Sequence, residues 1–116
     1  MKTSDVILTP LVQSDGTIKN RPALVLAEMP GFGDMLVCGI STQLHQYIPQ
    51  FDEIISRNDT DFSMSGLIAD SLIRLGFLAV LPQKQVLGKI GSIASERHAR
   101  LIHNLTKHLT KSIKNI

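Results

Sequence analysis

Residues 20–43, NRPALVLAEMPGFGDMLVCGISTQ, contain two apolar segments separated by a turn rich in glycine and proline. The segments, Pro22 to Glu28 and Met35 to Ser41, are apolar almost throughout, which is typical of central β-strands. Strands joined by a short turn pair antiparallel, so their outer ends lie side by side. The sequence therefore predicts a β-hairpin whose open end brings residues 20–22 next to residues 41–43.

The open end of this hairpin is polar, and its side chains are suited to a phosphate group. Arg21 precedes a proline, which favours an extended backbone and places the arginine at the mouth of the strand. Its guanidinium is a planar fork of donors that matches a phosphate. Ser41 and Thr42 would supply hydroxyl groups beside it. We predict a phosphate-binding site here; the alternative is a surface arginine paired with a nearby carboxylate.

The composition is that of one small globular domain. The chain has 116 residues, 43% of them hydrophobic, and residues 1–116 are taken as a single domain. The 12 Lys and Arg nearly balance the 10 Asp and Glu, so no global charge demands nucleic acid. One cysteine, Cys38, excludes an internal disulfide and is expected to be buried. No zinc spacing, cofactor motif, signal peptide or membrane-length segment is found, which predicts a cytoplasmic protein.

Several more short strands are expected along the chain. They are Asp5 to Thr9, ended by Pro10, then Phe51 to Ser56, Asp70 to Leu75, Phe77 to Leu81 and Gln85 to Ile90. Leu11 to Asn20 is expected to be a polar loop, either a flap over the site or an inert hairpin loop. Gly39 fits a bulge or a bend at a barrel corner. Many short strands between turn signals favour a small barrel or a curled sheet.

The C-terminal segment, Ser95 to Ile116, has the period of an amphipathic helix. Its apolar stripe is expected to pack on the barrel and comprises Leu101, Ile102, Leu105, Leu109 and Ile113. Its basic side is expected to face solvent, RNA or an acidic partner and comprises Arg100, Lys107, Lys111 and Lys114, with Arg97 beside them. His98, His103 and His108 point in three directions, so we interpret them as surface or boundary residues and not as metal ligands.

Taken in order, these motifs resemble those of the PemK/MazF toxins, the toxin components of bacterial type II toxin–antitoxin systems. The resemblance covers almost the whole chain, from Ser4 to the terminal helix. It comprises the Asp5-Val6 strand, the turn loop, Arg21-Pro22-Ala23-Leu24-Val25, Ile40-Ser41-Thr42-Gln43, and Gly66-Leu67 followed by Ser71-Leu72-Ile73-Arg74.

The resemblance implies a mainly β fold, a small SH3-like barrel of the PemK/MazF/CcdB type with a C-terminal α-helix, that forms a homodimer. It also implies a sequence-specific, metal-independent endoribonuclease, an mRNA interferase, with a cognate antitoxin as partner. Arg21 matches the family's catalytic arginine, and Ser41 matches its catalytic threonine. Thr42 and Gln43 continue the same motif, so the key hydroxyl is that of Ser41 or of Thr42.

The residues agree with cleavage of single-stranded RNA, whose own 2′-OH can attack the phosphate. Arg21 would stabilise the developing negative charge, and Ser41 would donate a hydrogen bond to a phosphate oxygen. The RNA backbone would be held by Lys19, Asn20, Thr42, Gln43 and Arg74, with a plain strand-surface role as the alternative for Arg74. The sequence leaves the general base open among Asp15, Glu28 and His45.

Two other functions remain open at this stage. One is a non-enzymatic toxin that uses the same barrel to bind a protein target such as gyrase. The other is a degenerate family member kept as a binding or regulatory module. An Arg-Pro strand start paired with a hydroxyl strand end favours the nuclease.

Overall fold

The computed structural model describes residues 1–113 as one six-stranded antiparallel sheet, curled into an open barrel, with a helix packed against it. The strand order is β4-β5-β3-β2-β1-β6. The strands are β1 Asp5–Val12, β2 Ile18–Glu28, β3 Met35–Ser41, β4 Glu53–Ile55, β5 Ser71–Leu81 and β6 Gly88–Ser92. The helices are α1 Phe62–Ser65 and α2 Ser95–Thr110. The predicted mainly β barrel with a C-terminal helix is thereby confirmed.

The central hairpin of β2 and β3 also forms as predicted. Ala23 lies opposite Gly39 and Leu24 opposite Cys38, while Met29 N–H donates to the Asp34 carbonyl to close the turn. The stretches Pro22 to Ala27 and Met35 to Ile40 of these strands are apolar because each face of the sheet covers a core of its own. One core lies between the sheet and α2, and the second lies on the opposite face.

Alternate residues along each central strand belong to the two cores. The helix-side core contains Val6, Leu24, Leu26, Cys38, Ile40, Ile55, Ile73, Leu75, Ile93, Leu101 and Leu105. The opposite-face core contains Ile7, Leu11, Ala23, Val25, Met35, Val37 and Leu81. Because successive strand side chains point to opposite faces, a strand buried on both sides shows a continuous apolar run. Cys38 has no exposed surface, as expected, and its burial, reinforced by the negative charge of Asp52, raises the pKa of its thiol.

The first strand runs further than predicted, since Pro10 lies inside β1 and does not end it. Pro10 pairs with Asn20 of β2, whereas the pairing of β1 with β6 stops at Leu8 and Gly88. The main-chain groups of Leu8 point toward β6, because its carbonyl accepts from Leu87 N–H. The nitrogen of Pro10, two residues on, faces the same edge where no strand follows. A proline there removes no ladder hydrogen bond.

The expected long loop from Leu11 to Asn20 is in fact a tight hairpin turn. Val12 still pairs with Ile18, so only residues 13–17 form the loop. Gln13 N–H donates to the Thr17 carbonyl, and Gly16 at the tip has a positive φ of 85°. A turn closed by its own hydrogen bonds does not fit the idea of a long flap. Lys19, Asn20 and Arg21 therefore belong to β2.

The remaining strands also differ in their boundaries from those expected. The segments Asp70 to Leu75 and Phe77 to Leu81 form one strand, β5, interrupted by a bulge. The strand predicted at Phe51 to Ser56 is confirmed but is only three residues long, and the last strand begins at Gly88. Residues 57–64, expected as a polar loop, include the start of α1. The end of α1 packs backbone to backbone on β6, where a Cβ on Gly66 would clash with the Ile90 carbonyl oxygen.

The apolar stripe of α2 packs on the sheet in only its first half. Leu101 and Leu105 are buried in the helix-side core, and Ile102 packs against it. Leu109 and Ile113, each 53% exposed, lie beyond the sheet, so their expected packing is wrong. The predicted basic residue Lys114 and the expected helix end at Ile116 lie outside the described residues. No helix within residues 1–113 has the length and hydropathy needed to cross a membrane.

Arg97 is not on a solvent-facing basic side as expected, because its side chain is buried in a cluster of carboxylates. The five N–H groups of its guanidinium all find acceptors. These acceptors are Asp61 Oδ2 at 2.9 Å, Asp61 Oδ1 at 3.1 Å, Glu53 Oε1 at 2.9 Å, Asp59 Oδ2 at 3.0 Å and the Ile54 carbonyl at 3.2 Å. Only 9% of the Arg97 side chain is exposed. The cluster joins the segment between β4 and α1 to the start of α2.

The carboxylates compensate for the position of a buried cation, Arg97, at the N-terminus of α2. Arg97 lies in the first turn of α2, where the positive end of the helix dipole disfavours a cation and favours carboxylates. Asp61 Oδ2 also accepts from Ala94 N–H, the residue that caps the helix. Hydrogen bonds from Arg97 hold the pKa of Asp61 below its usual range. Burial alone would lower the pKa of Arg97, but Asp61 and then Glu53 and Asp59 outweigh it and raise that pKa.

A depressed carboxylate pKa makes stability depend on pH in a definite direction. Asp61 stabilises the fold fully above its ordinary pKa of about 4, and this contribution is lost as pH falls through the lower folded-state pKa. We expect Asp61→Asn to lower the free energy of unfolding by about 3 kcal/mol at pH 7, since Arg97 loses its bidentate partner. The variant should then lose less further stability than the wild type as the pH falls below about 4. Urea unfolding at a series of pH values measures both quantities.

Glu28→Gln is the control, because Glu28 is exposed and takes no part in the Arg97 ion pairs. It removes the same charge and should leave the free energy of unfolding at pH 7 close to that of the wild type. If Asp61→Asn and wild type lose stability in parallel on acidification, Asp61 is not a source of the pH dependence.

Candidate active site

A groove of about 670 Å³ lies at the open end of the central hairpin. Its floor comes from the ends of β2 and β3 and from the bulged part of β5. One wall is the β1–β2 hairpin, through Leu11 to Ser14, and the other is the segment Leu67 to Ala69 before β5. Five of the residues predicted to contact substrate line it: Arg21, Ser41, Thr42, Gln43 and Arg74.

The groove lies where the β2–β3 ladder ends, and Pro22 explains why it ends there. Leu8 directs its main-chain groups to β6, so its partner Pro22 directs its own away from β1 and toward β3. Proline has no N–H to donate, and the recorded pairing of β2 with β3 stops at Ala23 and Gly39. The same register extended by two residues places Arg21 opposite Ser41. These two side chains face each other across strand ends that are not joined.

The hydroxyl of Ser41 is held by the chain that follows it. Gln43 N–H donates to Ser41 Oγ at 2.9 Å, which occupies an acceptor position and leaves the hydroxyl hydrogen for another partner. Ser41 is half-buried, whereas Thr42 is exposed on the bend after β3. Ser41 is therefore the better fixed of the two hydroxyls, and it lies on the same face of the sheet as Arg21. This geometry makes Ser41 a donor that can be aimed into the groove.

Arg74 enters the groove because of the bulge in β5. Cys38 lies opposite Leu78, but the next residue, Gly39, lies opposite Arg74, so three residues of β5 carry no partner on β3. Of the bulge or bend expected at Gly39, the structure has a bulge, with its extra residues on the neighbouring strand β5. A Cβ at Gly39 would lie 3.3 Å from the Phe77 ring, and the Arg74 guanidinium carbon lies 6.0 Å from that ring's centre. Glycine thus allows Phe77 to lie on the strand and support Arg74.

Asp52 repairs the hydrogen bonds that the bulge disrupts. Its side chain is buried, and its Oδ1 accepts from Leu75 N–H at 3.0 Å, a donor that the bulge leaves without a strand partner. Its other oxygen, Oδ2, accepts from Ile48 N–H at 3.1 Å. One carboxylate therefore fixes both the bulge that presents Arg74 and the turn that follows the Ser41 segment.

The wall opposite the hairpin is held rigid by Arg57 and Asp70. Asp70 Oδ1 accepts from Arg57 N–H at 2.9 Å, and Arg57 Nη2 donates to the Ile68 carbonyl at 3.2 Å. Ser71 Oγ donates to the Ala69 carbonyl at 2.7 Å. The Ile68 side chain is nevertheless 90% exposed. A fixed backbone thus presents an apolar side chain at the rim of the groove.

Two predicted substrate contacts and the three candidate bases lie outside the groove lining. Lys19 and Asn20 are exposed on β2 next to Arg21 but do not line the groove. Glu28 lies at the far end of β2, roughly 20 Å from Arg21 at the rise of an extended strand. Asp15 lies at the hairpin tip, where hydrogen bonds from the hydroxyl and then the N–H of Thr17 lower its pKa and weaken it as a base.

His45, the third candidate, is exposed in the single helical turn Leu44–Gln46. It follows Gln43 and precedes Gln46, which both line the groove, but it does not line the groove itself. Of the three candidate bases, His45 is the one whose chain neighbours line the groove, and Glu28 lies farthest from Arg21.

Electrostatically, the groove is suited to an anion. Its described lining contains two arginines, Arg21 and Arg74, and no Asp, Glu or His. The Arg21 guanidinium makes no ion pair and no hydrogen bond with any residue from 1 to 113, so its donor fork is available. Within that range no group of three His, Cys, Asp or Glu side chains is placed to hold a metal ion. The arrangement can bind a phosphate between a guanidinium and a hydroxyl.

The fold is that of a small β-barrel protein with a groove at the open strand ends, and comparison with protein families gives the class. Residues 2–109 match the family described as PemK-like, MazF-like toxin of type II toxin–antitoxin system. The match spans nearly the whole chain, so this protein belongs to the PemK/MazF-like toxin family, as the sequence motifs predicted. Among curated proteins, no individual match is found.

The Asp52 hydrogen bonds lead to a prediction about stability. We expect Asp52→Ala to lower the free energy of unfolding by about 1–3 kcal/mol, because Leu75 N–H is left buried without an acceptor. Asp52→Asn keeps an acceptor oxygen and should lose less. Urea unfolding of the two variants beside the wild type measures the difference, and equal losses would show that the Leu75 contact does not matter.

Proposed function

We propose that this protein is the toxin of a type II toxin–antitoxin system and acts as a sequence-specific, metal-independent endoribonuclease on single-stranded RNA. The observation that carries the proposal is the placement of Arg21 and Ser41 opposite each other at the unpaired ends of β2 and β3. Both match the family's catalytic positions. The absence of carboxylates from the described groove lining supports a polyanionic substrate.

The reaction proposed is an intramolecular transesterification of RNA. The 2′-oxygen attacks the adjacent phosphorus, the bond from phosphorus to the 5′-oxygen breaks, and one proton passes from the 2′-OH to a base. A second proton transfer neutralises the 5′-oxygen, so the products are a 2′,3′-cyclic phosphate and a 5′-OH. DNA is not cleaved because it has no 2′-OH.

The side chains of the groove stabilise the charge that develops on the phosphate. Arg21 donates two parallel hydrogen bonds to its oxygens, and the Ser41 hydroxyl donates a third. Ser41 can do so without losing its contact with Gln43 N–H, which uses only a lone pair. The pentacoordinate phosphate carries more negative charge than the substrate, so these donors bind it more strongly.

Arg74, Thr42 and Gln43 are proposed to hold the nucleotides on either side of the cleaved bond. Arg74 is braced by Phe77, so its guanidinium plane can contact a phosphate or stack on a base. Lys19 and Asn20 lie along the adjacent edge of β2 and would guide the RNA backbone into the groove. The apolar Ile68 side chain adds a surface for a base at the opposite rim.

Regulation by a cognate antitoxin and assembly into a homodimer in the cytoplasm complete the proposal. An antitoxin that occupies the groove would block the two arginines directly. A second candidate function is a toxin that binds a protein target without cleaving RNA, as in the gyrase-binding relatives of this fold. The absence of a base from the described groove lining favours this second candidate, whereas the Arg21–Ser41 pair favours the nuclease.

The first test concerns Arg21. Purified wild-type protein is incubated with a long single-stranded RNA in EDTA, and we expect discrete fragments that end in a 2′,3′-cyclic phosphate. Arg21→Ala should reduce the rate about 10²- to 10³-fold, because it removes a preorganised donor to the transition state. Its urea unfolding should stay cooperative, since Arg21 is exposed.

Lys84→Ala is the matched control, because Lys84 is an exposed cation on the turn Gln83–Gln85, outside the groove. It should cleave as fast as the wild type. Intact RNA with a well-folded wild type would refute the nuclease and favour the protein-binding toxin. Normal cleavage by Arg21→Ala would remove Arg21 from the site.

The second test separates the two hydroxyls. We expect Ser41→Ala to slow cleavage much more than Thr42→Ala, roughly ten- to a hundredfold, because the Ser41 hydroxyl is held by Gln43 and faces Arg21. Single-turnover rates at saturating RNA give the comparison. A larger loss for Thr42→Ala would transfer the role to Thr42, and two negligible losses would exclude a hydroxyl from the reaction.

A further inference from the structure

Thr9 of β1 is a buried residue whose hydroxyl has no partner in the described part of the chain. Its exposed fraction is 0%, and its Oγ1 is the buried side-chain oxygen or nitrogen for which no hydrogen bond is found among residues 1–113. Burying a hydroxyl without a hydrogen bond costs about 1–3 kcal/mol. An unsatisfied polar group in a native structure therefore calls for an explanation.

The neighbours of Thr9 show that packing does not require a hydroxyl. Ile7 and Leu11, two residues away on either side, point to the same face of the sheet, and both belong to the opposite-face core. Ala23 and Val25 on β2 are part of the same core. Valine has the shape of threonine and would fill this position with no unsatisfied group. The Thr9 hydroxyl therefore does not stabilise this part of the core.

The register of the sheet places Thr9 directly opposite Arg21. Thr9 and Arg21 are paired residues of the β1–β2 ladder, so their side chains lie on the same face. Paired residues of an antiparallel ladder have Cβ atoms about 5 Å apart, which is within the span of the arginine stem. Arg21 in turn has five N–H donors, whereas a bidentate grip on a phosphate uses two of them.

We propose that Thr9 is a positioning residue for Arg21: its buried hydroxyl accepts an N–H of the guanidinium when Arg21 binds a phosphate. This inference rests on the proposed function of Arg21 as the phosphate-binding group. The contact with the Thr9 hydroxyl holds the guanidinium on its core side, so its remaining N–H groups face the groove. Thr9 does not line the groove and need not touch the substrate.

Thr9→Val tests this role because it should not lower the stability of the fold but should lower the rate of RNA cleavage. Removing an unsatisfied hydroxyl should leave the melting temperature unchanged or raise it. Cleavage of RNA should nevertheless fall about tenfold, with the loss in kcat and KM little changed, because the guanidinium is less well aimed in the transition state. Thr9→Ser retains the hydroxyl and should restore kcat.

Two further variants complete the design. Ile7→Val trims the same buried face two residues away, and it should cleave at the wild-type rate despite a slightly lower melting temperature. In an Arg21→Lys background, Thr9→Val should cause no further loss, because the fork that it positions is gone. Equal activity of wild type and Thr9→Val, failure of Thr9→Ser to restore kcat, or the same tenfold loss in both backgrounds would overturn the proposal.

A measurement that needs no cleavage separates this inference from the proposed function. Exchange of the Arg21 Nε–H with water is measured by NMR in the presence of inorganic phosphate. We expect slower exchange in the wild type and Thr9→Ser than in Thr9→Val. If the wild type does not cleave RNA, the nuclease is refuted, while the exchange rates still decide the role of Thr9. Identical exchange rates in the three proteins would refute it.

Discussion

The buried Arg97 guanidinium is the interaction on which the rest of this structure depends. It binds carboxylates from two places, Glu53 on β4 and the Asp59–Asp61 segment that follows it, and it fixes both to the start of α2. The segment after β4 also packs Phe62 and Leu67 against the helix-side core, so the ion cluster adds polar contacts to apolar ones. The far end of this segment, residues 67–69, forms one wall of the groove. An ion cluster on one side of the molecule therefore supports the site on the other.

The groove itself exists because ladder hydrogen bonds are interrupted in two places. Pro22 cannot donate to β3, and the bulge leaves three residues of β5 without partners on β3. Continuous ladders would have sealed the strand ends together and left only a flat sheet surface. The cost of the bulge is limited by Asp52, whose carboxylate accepts the orphaned Leu75 N–H. Polar side chains thus stabilise an opening that main-chain pairing alone would close.

Local patterns in the sequence were enough to predict the hairpin, the barrel and the helix, because apolar period and turn residues act over a few positions. They also placed Arg21 beside Ser41, since antiparallel pairing fixes which strand ends meet. They failed for Arg97, which has the helical spacing of a solvent-facing cation. Its burial depends on three carboxylates that are 36 to 44 residues away in the chain. The same holds for Asp52 and Leu75: Gly39 indicated an irregularity in the sheet, but no local motif places the Asp52 carboxylate beside it.

Two arginines of this fold differ in their hydrogen bonding. Arg97 has all five N–H groups satisfied and is fixed, whereas Arg21 has none satisfied within residues 1–113 and is exposed. Thr9, opposite Arg21, is buried, and its hydroxyl has no partner among these residues. A buried hydroxyl without a partner costs stability, so its position directly opposite an exposed arginine calls for an explanation. A phosphate bound by Arg21 supplies one, since it would orient the fork over the Thr9 hydroxyl and satisfy both groups at once.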